Sequence, residues 1–139
     1  MSLLMVLLPL FVEVVLTFVL LFWMAGVRGG ALRRGEVRYE DIALRGPWPS
    51  GTLAVANAYH NQLELPILFY VLTILAYITH HAGLAFVLLA WVFVVLRLMQ
   101  AGVHVTNNKV PLRGAFFGAS ALVLAIMWLI YMIEIILGI

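Results

Sequence analysis

Residues 57–66 read NAYHNQLELP: two asparagines, a histidine, a glutamine and a glutamate, set inside a long apolar run that spans residues 52–78. The run is long enough to cross a bilayer as a helix, because a ~30 Å hydrocarbon core takes about 20 residues at a rise of about 1.5 Å each. Hydrocarbon cannot solvate the polar groups, and an ionisable side chain at bilayer depth costs about 2.5–3.5 kcal/mol on insertion scales. They must therefore point at something other than lipid. On a helix, Asn57, His60, Asn61 and Glu64 share an arc of roughly 100°. That single stripe predicts a bundle interior or a subunit interface, with Tyr59 and Gln62 nearly opposite. Pro66 cannot donate to the carbonyl of Gln62, which predicts a kink beside the stripe.

The surrounding chain is overwhelmingly apolar. Of 139 residues, 65% are hydrophobic and only 10% charged, and the mean hydropathy is +1.13. This composition excludes a soluble domain of that size and predicts an integral membrane protein whose first partner is the lipid bilayer. Further apolar stretches cover residues 3–27, 84–105 and 115–139. The fold expected is all-α, a single domain of four transmembrane helices in an up-down bundle. The first stretch has no basic segment before it and no small-residue cleavage site, so it reads as a retained helix rather than a signal peptide. Cysteine is absent, which excludes disulfides, a cysteine nucleophile and thiolate metal ligation within the chain.

Charge placement predicts orientation. Arg28, Arg33, Arg34, Arg38 and Arg45 lie between the first two apolar stretches, and Lys109 and Arg113 between the last two. Residues 79–83 contain neither lysine nor arginine. The positive-inside rule then puts both basic loops in the cytoplasm and both termini outside, in a plasma membrane. Glu36, Glu40 and Asp41 interleave with the arginines of the first loop. A topology signal thus accounts for these charges better than nucleic-acid or anionic-lipid binding. Gly46, Pro47, Pro49 and Gly51 give that loop turns rather than a domain, with Ser50 or Thr52 as a helix cap.

A second stripe follows on the third helix: Arg97, Gln100, His104 and, if the helix continues, Asn108. Both stripes lie toward the basic end, and Arg113 opens the last helix at the same level. A carboxylate, several amides, two imidazoles and two guanidiniums are thus expected to converge. Two readings stay open. Glu64 pairs with Arg97 or Arg113 to hold helices together, or the cluster binds an anionic or polar ligand, since arginine grips carboxylates and stabilises thiolates. Elsewhere, Gly114, Ala115, Gly118 and Ala119 form a small-residue helix-packing pattern. Glu13 sits mid-helix with Pro9 and Thr17 on its face and reads chiefly as a packed interior residue, with a second element of the site as the alternative. Arg28 reads equally as an interfacial anchor or as a reach toward the cluster. His80 and His81 have no carboxylate or cysteine nearby, so no metal is expected.

NQLELP, followed by Arg97 and Arg113 sixteen residues apart and by KVPLR at 109–113, resembles the membrane-associated proteins in eicosanoid and glutathione metabolism, the MAPEG superfamily. The likeness covers nearly the whole chain and is greatest to the small bacterial members. It implies a homotrimer that binds glutathione between subunits near the cytoplasmic face, with transferase or peroxidase activity on lipophilic small molecules. The resemblance makes Asn61 and Glu64 holders of the glutathione backbone and Arg113 the arginine that stabilises its thiolate. Arg97, Lys109 and Pro111 match further family positions. Asn57 stands where many glutathione-using members carry an arginine, His104 where they often carry a tyrosine, and Gly114 where one synthase carries a serine. Asn57, His60, Arg97, Gln100 and His104 complete the expected ligand site. The alternative implied by the same family is a non-catalytic lipid- or ligand-binding scaffold.

Overall fold

The computed structural model describes residues 2–40, 48–106 and 110–139. Arg45, Asn108 and Lys109, named above for charge, stripe and family match, lie outside the described residues, as do Asp41, Gly46 and Pro47. Five helices lie wholly within the described residues: α1 (Leu3–Arg33), α2 (Ser50–Asn61), α3 (Leu65–Ile78), α4 (Leu84–Val105) and α5 (Val110–Leu137). With α2 and α3 together forming the second span, the chain is a bundle of four helices, each long and apolar enough to cross a membrane.

Ser2 opens α1 by accepting a hydrogen bond from the Met5 amide at 3.3 Å. The helix then runs through Arg28–Gly29–Gly30, past the end expected at residue 27. Its 31 residues reach about 46 Å, well beyond a ~30 Å hydrocarbon core. Packing explains the extension: Ala31 in its last turn is fully buried, and Val37 just beyond is nearly so. The guanidinium of Arg28 lies 5.1 Å over the Trp48 ring, a cation–π contact that ties the end of α1 to the start of α2.

The second span breaks outright instead of bending. α2 ends at Asn61, and the amides of Gln62, Leu63 and Glu64 tighten onto the carbonyls of Tyr59, His60 and Asn61 at 2.9, 3.0 and 3.4 Å. α3 restarts at Leu65 with Pro66 in its first turn, where a missing N–H costs nothing.

α4 and α5 pair most extensively, α1 packs on α2, α3 and α4, and α2 also packs on α4. The main apolar core joins Phe69 and Leu72 of α3, Ala90, Phe93 and Val94 of α4, and Leu124 and Met127 of α5. Phe69 and Phe93 meet ring to ring at 4.8 Å. Toward the basic end small residues let α1, α2 and α4 close up: Leu20 packs with Ala58 and Ala101, and Met24 with Val55 and Ala56. Thr73 and Ser120 are buried, and each donates its hydroxyl to its own helix, to the carbonyls of Phe69 and Phe117 at 2.9 Å each. Gly114, Ala115, Gly118 and Ala119 are exposed. The small-residue face of α5 is therefore open, with no packing partner among the described residues.

Candidate functional site

At the basic end, where α1 and α4 finish and α2 and α5 begin, a groove opens on the side of the bundle. Its volume is about 380 Å³, within the roughly 300–1,000 Å³ typical of ligand pockets. One wall is the α2 stripe of Asn57, His60 and Asn61, with Glu64 at the helix break. Gln100 and His104 of α4 form the floor, and Val110, Arg113, Gly114 and Phe117 of α5 the facing wall. Seven of the eight residues expected from sequence thus line one groove.

The two stripes differ in burial. Asn57, His60 and Glu64 are exposed and Asn61 is half-buried. They face out of the bundle rather than into its interior. The residue expected on the far side, Gln62, is buried and donates its amide to the Ala58 carbonyl at 3.4 Å. On α4, Arg97, Gln100 and His104 are all buried.

Arg97 stands behind the groove rather than in it. Its side chain is fully buried and its Nη2 donates to the Asn61 carbonyl at 2.9 Å. That carbonyl is one of those freed where α2 stops, and a cation there also suits the negative end of the helix dipole. Its Nε and Nη1 have no hydrogen-bond partner, so Arg97 is not hydrogen-bonded to Glu64, although Glu64 lies within its electrostatic reach. The nearer surprise is Glu13. This fully buried carboxylate of α1 has neither oxygen hydrogen-bonded, and it lies in the field of Arg97. Glu13 and Arg97 are thus two buried ionisable groups on different helices, within electrostatic reach of each other and with no hydrogen bond between them. Sequence spacing within α1 held no signal for this, since the pair joins different helices.

Arg113 Nη1 lies 3.1 Å from His104 Nε2. A guanidinium only donates, so in this contact Nε2 is the acceptor. Val110 and Phe117 are groove residues that sequence reasoning missed, because the last helix was expected to start at residue 115. Begun at Val110, the spacing Val110, Arg113, Gly114, Phe117 reads as one helical face.

The opposite end of the bundle carries a smaller crevice of about 100 Å³ between α4 and α5, lined by His81, Phe86, Leu89, Met127, Tyr131 and Glu134 among others. There His81 bonds through Nε2 to the Ile139 carbonyl at 2.7 Å and through Nδ1 to the Thr79 hydroxyl at 3.2 Å. Both ring nitrogens are thus engaged. Among the described residues no cluster of three or more His, Cys, Asp or Glu side chains is placed to hold a metal ion.

The family model described as the MAPEG family matches residues 6–133. The chain belongs to the MAPEG family. The match runs from α1 through most of α5 and so includes every groove residue of this MAPEG protein. No curated protein and no solved structure matches it.

Proposed function

We propose that this MAPEG protein binds glutathione in the groove and activates its thiol toward lipophilic electrophiles or hydroperoxides, as a transferase or peroxidase. One observation carries the reading: Asn61 and Glu64 on one wall share a ligand-sized groove with Arg113 on the other. Asn61 and Glu64 hold the peptide backbone. Arg113 stabilises the thiolate, which raises the fraction of nucleophile at neutral pH. The sulfur then bonds to an apolar co-substrate that enters from the lipid.

The exposed stripe also requires cover, because carboxylate, imidazole and amide groups against hydrocarbon are costly. Three copies of the chain supply it, each groove closing against a neighbour, with the basic loops in the cytoplasm. The test is to add glutathione to the purified protein and follow the ultraviolet thiolate absorbance. A thiolate signal is expected in the wild type. Arg113→Ala should lose it and lower kcat/KM by about 10²–10³-fold, the scale for losing one preorganised charge stabiliser. A wild type that binds no glutathione sinks the proposal. Asn57 lines the groove at the position where many glutathione-using relatives carry an arginine, and this favours a second reading, ligand binding without chemistry. Binding without any thiolate signal is its signature.

A further inference from the structure

The groove holds a feature that thiolate stabilisation by Arg113 does not use. His104 is nearly buried, lines the groove, and presents Nε2 as an acceptor 3.1 Å from Arg113 Nη1. A cation cannot take up a proton, so a thiol ionised beside Arg113 must hand its proton to another group. We propose that His104 is the catalytic base that takes the proton of a thiol bound in the groove, in exchange for the hydrogen bond that Arg113 donates to it. The inference rests on the glutathione reading and deepens it.

The step balances. The S–H bond breaks, its electron pair stays on sulfur, and the proton forms a new N–H bond at Nε2. Arg113 can no longer donate to a protonated Nε2, and its N–H turns to the sulfur anion. The groove begins with a guanidinium and a neutral imidazole and ends with a guanidinium, an imidazolium and a thiolate between them. Net charge is unchanged, and the buried anion has a cation on each side. A neutral imidazole with a free electron pair is the form a general base requires, and the contact with Arg113 fixes that form.

Among the described residues, the charged and titratable groups near His104 come from three helices. Arg113 comes from α5 and Arg97 from its own helix, while Glu64 and His60 line the groove from the α2 side. Both arginines are cations, so a proton taken up by His104 meets like charge until an anion arrives. The arriving thiolate offsets that repulsion. Proton uptake and thiolate formation are thereby coupled, and neither precedes ligand binding.

Proton counting tests the assignment. The purified full chain in micelles is titrated with glutathione in buffers of different ionisation enthalpy, with thiolate absorbance read in parallel. S-methylglutathione serves as the blank for protons moved by other groups. At neutral pH the wild type is expected to form thiolate with no net proton released, because the proton stays on His104. In His104→Gln, which keeps an amide for hydrogen bonding but no basic nitrogen, thiolate falls about tenfold or each thiolate formed releases a proton to the buffer. The kcat/KM of that variant drops about 10²-fold, the lower bound for a general base, with smaller change in KM. Release of a proton with every thiolate in the wild type overturns the assignment, whatever the variant does. So does a His104→Gln protein that keeps both full thiolate and zero release, which would move the role to Glu64 or His60. A wild type that binds no glutathione, or binds it without thiolate, overturns the activation reading and this inference together. Thiolate formed with a released proton overturns this inference alone.

Discussion

The stripes of α2 and α4 have similar helical spacing and similar chemistry, yet they meet opposite environments. Asn57, His60 and Glu64 are exposed, while Arg97, Gln100 and His104 are buried. The buried stripe is a matter of stability: Arg97 holds the Asn61 carbonyl at the helix break and lies within electrostatic reach of Glu13. The exposed stripe contributes little to the protomer and is available to a ligand or a neighbouring subunit. Where the two meet, at Gln100, His104 and Asn61, structure and site share the same residues.

Substitutions should separate the stripes. The largest effect is expected from Arg97→Leu, which removes the buried donor to the Asn61 carbonyl at the helix break and the cation nearest Glu13, and should destabilise the bundle by about 3 kcal/mol, the upper scale for a hydrogen bond from a charged group. The double variant Glu13→Leu/Arg97→Leu should recover part of that loss if the two buried groups are coupled, because it also removes the unpartnered Glu13 carboxyl from the interior. Unfolding of the micelle-bound protein by denaturant measures both. If the double variant is no better than the single one, the pairing is wrong. Next, Asn61→Ala keeps the main-chain carbonyl that Arg97 holds but removes the groove amide. Glutathione affinity should fall about tenfold, or about 1.4 kcal/mol, the scale of one hydrogen bond. Stability should move far less, and titration calorimetry beside the unfolding curve tells the two apart. The smallest effect on stability belongs to Asn57→Leu, within about 0.5 kcal/mol as for an exposed position outside any network. A larger loss would show that the stripe is internally bonded and that the two regions are not distinct.

Much of this was legible in the sequence, and the gaps have physical causes. Four membrane-length stretches followed from composition, and the groove residues from helical spacing and depth. Spacing defines a stripe but not the side of the helix that faces its neighbours. On α2 the informative signal was the other face, where Ala54, Val55 and Ala58 are buried. Small residues let membrane helices approach one another, so that face turned inward and the polar stripe outward. The early start of α5 was missed because Pro111 sits in its first turn and reads as a boundary, although proline is tolerated there. The Glu13–Arg97 relation depends on which helices pack together, which no local pattern encodes.

The central claim is that the exposed α2 stripe is the wall of a glutathione site, and the absence of cysteine from the chain permits a direct measurement. Single cysteines are introduced as Asn57→Cys on the stripe and as Leu88→Cys, an exposed position on α4 outside the groove. Each is alkylated by a small thiol reagent with and without S-methylglutathione, which occupies the site but cannot react. The account predicts that the ligand slows labelling at position 57 and leaves position 88 unchanged. Labelling at position 57 that is indifferent to saturating ligand would contradict it.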